Sequence, residues 1–277
     1  MITARVLELL PASIRPFYQK HRTFVVEHSV DPDFWRNVGF TEEVPRHFLD
    51  MDAYGSYPFT ALPRNYEAAV QKFGVEIVQK NGSLPWRTEE IYNQLVKAFD
   101  RQKKGNGPYA LEDIKYFSAV LAHYLGDAHV PFHAVTNYDG QLTNQQGIHS
   151  RFETELFLRY RKRLSILGSS LVGVSSPRDF VFEVLLESFK QVDPILKADR
   201  EAAVGRTEYD DAYFRNFAVV AKPILEHRIN ASIQDIASIL ASAWEKAGKP
   251  DLPLNPPHFI RKIRNGGGST QESTIKQ

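Results

Sequence analysis

Cysteine is missing from this 277-residue chain. Its absence removes thiolate nucleophiles, Cys-ligated zinc, iron–sulfur clusters and disulfides together, and it leaves the redox compartment open. Any metal must be held by imidazole, carboxylate or backbone groups. An excess of one charge is missing as well. Lys and Arg number 34 against 33 Asp and Glu, so the net charge is +1 and no global field draws the chain to nucleic acid or an anionic membrane. No run approaches the ~20 consecutive apolar residues of a membrane-spanning helix. The opening stretch, MITARVLELLPASIRPFYQKH, lacks the basic region, apolar core and small-residue cleavage site of a secretion signal. Sustained apolar/polar alternation with paired turn signals is absent too, which argues against sheet.

What is present is ordinary globular composition, 43% hydrophobic and 24% charged, and this excludes disorder along most of the length. Apolar residues recur at helical spacing. Ile114, Phe117, Leu121 and Leu125 mark one face of a helix starting near Leu111. Ile229, Ile233, Ile236, Leu240 and Trp244 mark a long amphipathic helix that ends before Gly248-Lys249-Pro250. The same reading predicts helices over 4–10, 13–28, 63–80, 88–101, 149–163, 178–197 and 210–226. Phe180, Val184, Leu185 and Phe189 form the expected buried stripe of the 178–197 helix. Gly82-Ser83-Leu84-Pro85 reads as a break, and residues 136–148 as a polar loop between strong helices. No internal repeat and no Pro-, Gly- or Ser-rich linker divides the chain. The expected architecture is one all-α, multi-helix bundle over residues 1–264, with a disordered tail over 265–277.

Four of the nine histidines fall between His123 and His149, in HYLGDAHVPFH, the polar loop and GIHSRFE. His123 and Asp127 are four apart and project from one helix face, and His149 and Glu153 repeat that spacing. His133 lies just past Pro131, where the chain can redirect a ligand. One such pair alone is commonly a surface pair or a satisfied core hydrogen bond. Two pairs plus His133, beside large apolar stripes, point to a metal site inside a bundle. Upstream, His47 stands near Asp50 and Asp52, with Asp31 and Asp33 before it. His21 and His28 read as surface or capping residues, and His227 and His258 as structural ones.

The string HYLGDAHVPFH followed by GIHSRFE resembles the signature of the zinc-dependent phospholipase C superfamily, which also contains the single-strand-specific zinc nucleases. The pattern is His, three residues, Asp, five residues, His, a loop, then His, three residues and an acidic residue. PRHFLD, with an aspartate 14 positions earlier, is similar to the upstream ligand pair of that family, so the likeness extends over roughly residues 30–155. The resemblance implies an all-α fold and a zinc-dependent phosphoric ester hydrolase of phospholipase C type. Asp33, His47, His123 and Asp127 would hold one zinc, and His133, His149 and Glu153 a second. Asp127 would reach a third. Asp33, with Asp31 as its alternative, would also orient the attacking water or act as base. His129 and Asp50 are candidates for holding the imidazoles in one tautomer, or for purely structural roles.

Glu153 resembles the phospholipase branch, whereas Asp127-Ala-His129-Val-Pro131 is closer to the nuclease wording. The expected substrate is therefore a phosphodiester, phospholipid or single-stranded nucleic acid, with Tyr54, Tyr57, Phe59, Tyr138 and Phe152 available as apolar rim, stacking platform or core. In the family the third zinc is bound by an N-terminal tryptophan and a nearby histidine. Neither residue occurs here before His21. The expectation is that the sequence takes up just after that segment, leaving two zincs where the intact site has three. A chain that lacks the third metal, or a non-catalytic metal-stabilised helical domain, is the competing reading. By resemblance alone the protein is expected outside the cytoplasm.

Overall fold

The computed structural model describes residues 1–105, 107, 109–168 and 170–255. No β-strand forms among them, and the fold is all-α. Short helices α1 (Ile2–Leu9), α2 (Arg15–Lys20), α3 (Arg22–Glu27) and α4 (Asp31–Asn37) lead into 3₁₀ turns at Thr41–Arg46 and Met51–Tyr54. Then come α5 (Tyr66–Phe73), α6 (Val75–Lys80), α7 (Leu84–Lys103) and α8 (Ala110–Ala128). Past a 3₁₀ turn at Pro131–His133 and the polar loop lie α9 (Ile148–Ser150), a π-helical turn (Arg151–Leu156) and α10 (Phe157–Tyr160). The chain continues through α11 (Pro177–Phe189), α12 (Val192–Ala203) and α13 (Asp211–Lys246). Helices α7 and α8 pack along each other, and α13 packs against α1, α7, α8 and α12. Ile229, Ile233, Ile236, Leu240 and Trp244 are all buried there, as their spacing requires.

Local chemistry moves several expected boundaries. The predicted 13–28 helix divides at His21, and 63–80 divides at Gly74, whose φ of +87° leaves the helical region. The expected break at Gly82–Pro85 is present, α6 ending at Lys80 and α7 starting at Leu84, with Ser83 at the N-cap and Pro85 in the first turn. The predicted 178–197 helix is α11 and the start of α12. Val181 and Phe182 join Val184 and Leu185 in its buried set, while Phe180 and Phe189 are only partly covered. Segment 149–163 is helical throughout, as predicted, but changes type along its length from α9 through the π-helical turn and α10 to a 3₁₀ turn at Arg161–Arg163. Conversely, 210–226 and 229–244 fuse into the 36 residues of α13. Its Pro223 is tolerated because the carbonyl it leaves unpaired belongs to Val219, which faces water. The predicted tail 265–277 and His258 lie outside the described residues. No helix among the described residues is long and apolar enough to cross a membrane.

Two buried polar knots hold the elements that matter for the site. Arg151, between His149 and Glu153, turns inward and meets Asp199 of α12 at 3.0 Å, both side chains being almost fully buried. Gln145 and the Tyr213 hydroxyl also donate to Asp199, and Arg151 donates to the carbonyls of Gln145 and Gln146. At the other knot, Arg228 of α13 donates to the carbonyls of His129 and Val184 and to Ser188 Oγ, while Ser188 donates to the Ala128 carbonyl. A cation and a hydroxyl thus cap the C-terminal carbonyls of α8, where the chain turns toward His133.

Removing one member of a buried ion pair strands the other charge. Asp199→Ala is therefore expected to lower unfolding free energy by about 3–5 kcal/mol in urea titrations, and the double replacement Arg151→Met with Asp199→Leu to recover most of that loss.

Candidate metal centre

The seven expected ligands come from separate stretches and are brought together in two adjacent clusters. Asp33 on α4, His47 after the Thr41–Arg46 turn and His123 on α8 each offer a donor atom within 4.8 Å of the others. Asp127, one turn beyond His123, joins them. Its Oδ2 lies 3.0 Å from His47 Nδ1 and 3.3 Å from His123 Nε2, and the two imidazole nitrogens are 3.1 Å apart. In the second cluster, His133, His149 and Glu153 again place one donor each within 4.8 Å. His149 Nε2 and Glu153 Oε2 are 2.8 Å apart, and the His133 and His149 rings meet edge-on at 4.9 Å. Asp31 instead bonds His28 at 2.8 Å and stands apart from the cluster.

Backbone carbonyls set the imidazole tautomers. His123 Nδ1 donates to the Ser29 carbonyl at 2.9 Å and His133 Nδ1 to the His47 carbonyl at 2.5 Å. In each ring Nδ1 is committed outward, which leaves Nε2 as the nitrogen that faces the cluster and can take a cation in the neutral ring. The 47–51 and 133–134 segments are laced by two further bonds, Leu49 N to His133 O and Met51 N to Ala134 O. His47 presents Nδ1 inward instead, and its buried Nε2 has no hydrogen-bond partner. Facing that nitrogen at 3.7 Å is Glu43, a buried carboxylate that accepts from the Tyr124 hydroxyl and from Arg46. Arg87 in turn donates to the Tyr124 oxygen.

The donor set is crowded with groups that compete for protons. Burial opposes charge on His123, but the Asp127 carboxylate outweighs it and raises the imidazole from 6.5 to about 9. Burial likewise opposes ionisation of Asp127, yet the imidazoles of His123 and His133 hold it well below the carboxylate range. Glu153 is also lowered, desolvation being overridden by its bond to His149 and by the His133 charge. A dication placed among these lone pairs would do the work now done by the His123 proton. The imidazole and carboxylate donors fit zinc, for which both are ordinary ligands.

Neither candidate for fixing the tautomers reaches a ligand ring. Burial pushes His129 down to about 4, and its Nε2 faces Asp235 at 3.2 Å. Asp50 is pushed up to about 7 by burial and by Asp52. Main-chain carbonyls, which carry no signal in a sequence, take that role for His123 and His133. Glu43 had a signal, its four-residue spacing from His47. Among the aromatic candidates Tyr54, Phe59 and Phe152 are core, while Tyr57 and Tyr138 are exposed. His227 is exposed on α13, and His21 and His28 are only partly buried, at the ends of α2 and α3.

A cavity of about 470 Å³ opens on the clusters, lined by Asp33, His123, Asp127 and Glu153 together with the apolar side chains of Phe152, Phe157, Leu225 and Ile229. A larger groove of about 840 Å³ beside Trp86 and Arg178 contains none of the seven residues. No protein-family model matches this chain, and no curated protein aligns with it.

The raised His123 gives two pH-dependent expectations. Without metal, its pairing with Asp127 stabilises the fold fully below pH 6.5 and is lost as pH rises through 9, so the melting temperature should fall across that window. Zinc requires the neutral ring, so binding at pH 7 should release about one proton from His123, fewer as pH passes 9. Calorimetry in buffers of different ionisation heat reads the count, and none released at pH 7 would place the ion elsewhere.

Proposed function

We propose that this protein is a zinc-dependent phosphoric ester hydrolase acting on a phosphodiester. The observation that carries this reading is the pairing of two imidazole–carboxylate clusters, drawn from separate segments and opening on one cavity. Asp33, His47, His123 and Asp127 would hold one zinc and His133, His149 and Glu153 another. When bound, zinc supplies Lewis acidity and a source of hydroxide near neutral pH.

The chain's own groups do the rest. His123 and His133, braced by carbonyls, hold their Nε2 lone pairs toward the clusters with no rotamer to search. Asp33 is the most open carboxylate of the first cluster, its side chain 45% exposed and paired with Arg36 at 3.2 Å. It can orient a water at the cavity mouth or take its proton. The apolar side chains of Phe152, Phe157, Leu225 and Ile229 in the cavity lining would receive the organic part of the ester.

A phospholipid is the substrate class the surroundings favour. Val30, Phe34, Val38 and Phe40, in and beside the helix that carries Asp33, are all exposed, which suits an apolar or interfacial ligand better than a polyanion. A single-strand nuclease would instead want a basic groove lined with aromatics.

Turnover of bis-p-nitrophenyl phosphate should vanish with chelator and return with zinc, and Asp33→Asn should lower kcat by about 10²–10⁴. Chelator-insensitive turnover would refute the hydrolase reading. Phosphatidylcholine tested against single-stranded DNA decides the substrate, with the lipid expected to be cleaved. Two tightly held ions without turnover of any phosphoester would leave a metal-stabilised helical domain.

A further inference from the structure

We infer that Glu43 is a positioning residue for the first metal subsite, selecting the Nε2-protonated tautomer of His47 and supplying a negative charge behind it. The inference rests on reading the clusters as a metal centre, but not on what reaction that centre performs.

Three observations carry it. First, His47 differs from its neighbours. His123 and His133 use Nδ1 to donate to main-chain carbonyls, whereas His47 turns Nδ1 toward Asp127 and His123. A cation there needs His47 Nδ1 bare and the ring proton on Nε2. Second, that nitrogen is buried and has no hydrogen-bond partner, an arrangement that costs about 1–3 kcal/mol unless a partner is met. Glu43 Oε1 stands before it at 3.7 Å. Third, Glu43 is itself 1% exposed, and a carboxylate so buried persists only where its charge is answered. Arg46 bonds Oε2 at 2.7 Å and the Tyr124 hydroxyl bonds Oε1, with Arg87 behind the tyrosine at 3.2 Å. The two guanidinium groups stand on the outer side, and the inner side is left to His47. A small closing movement of the His47 ring completes a carboxylate–imidazole–cation line, the arrangement that fixes ring orientation and strengthens the ligand.

The test uses the full chain with zinc, read by competition against a chromophoric chelator that resolves the two ions. Glu43→Gln keeps the shape and removes the charge. It should weaken one ion by about 10–100-fold and leave the other, held by His133, His149 and Glu153, unchanged. Tyr124→Phe keeps the carboxylate and removes one bond to it, so its effect should not exceed about fivefold. General loosening of the fold would weaken both ions together. Equal weakening, or no weakening, in Glu43→Gln overturns the proposal. Should Glu43→Gln fail to fold, the wild-type protein still decides. In ¹⁵N-histidine spectra of the zinc-loaded chain, His47 should carry its proton on Nε2, and a proton on Nδ1 overturns the assignment. A wild-type chain that binds no zinc would end the metal-centre reading itself, whereas zinc binding without phosphoester turnover would leave the Glu43 assignment standing.

Discussion

An imidazole N–H donated to a main-chain carbonyl is the contact from which the rest of the site follows. His133 gives its proton to the carbonyl of His47, and His123 gives its own to Ser29. Each bond does two things at once. It ties α8 or the turn after it to a segment some 80 to 100 positions upstream, and it decides which nitrogen of the ring is bare. Fold and chemistry therefore share the same hydrogen atoms. If the 47–51 segment slid against 133–134, the Leu49 and Met51 bonds would break, and the lone pair of His133 would turn away from His149 and Glu153.

Around these contacts the protein gathers acidic and basic groups that water would otherwise solvate apart. Three carboxylates and four imidazoles converge beside apolar side chains. Desolvation acts against the charges of His123, Asp127 and Glu153, and mutual pairing offsets it. The cost is carried by the frame. Arg151 and Asp199 anchor the π-helical turn that bears Glu153, and the packed interior of α7, α8 and α13 leaves the clusters little room to relax. Part of that precision comes from Asp199, α7 and α13, which are remote from the ligands in sequence.

That remoteness explains what could be read in advance. His123 with Asp127 and His149 with Glu153 were legible because one helical turn maps a spacing of four onto one face. His133 was legible from the proline before it. The burial of Ile229 through Trp244 followed from periodicity, since a stripe that regular has one way to leave water. The rest was not local. A carbonyl that fixes a tautomer has no letter of its own. Glu43 does, four positions before His47, but it lies in a 3₁₀ turn with Pro45 inside it, where helical periodicity gives no prompt. The segments predicted over 210–226 and from 229 run on as α13, with no glycine or proline between them, and Arg228 at the join bonds partners 40 to 99 positions away.

That arginine has a consequence of its own. Among the described residues no carboxylate lies within ion-pairing distance of it, and burial lowers it only to about 10, so it stays charged while bonding to neutral oxygens alone. Small ions in the medium compete weakly for partners that are themselves uncharged and buried. The corner that swings the chain from α8 toward His133 should thus keep its shape from fresh water to brine, even as exposed pairs such as Arg36 with Asp33 fade.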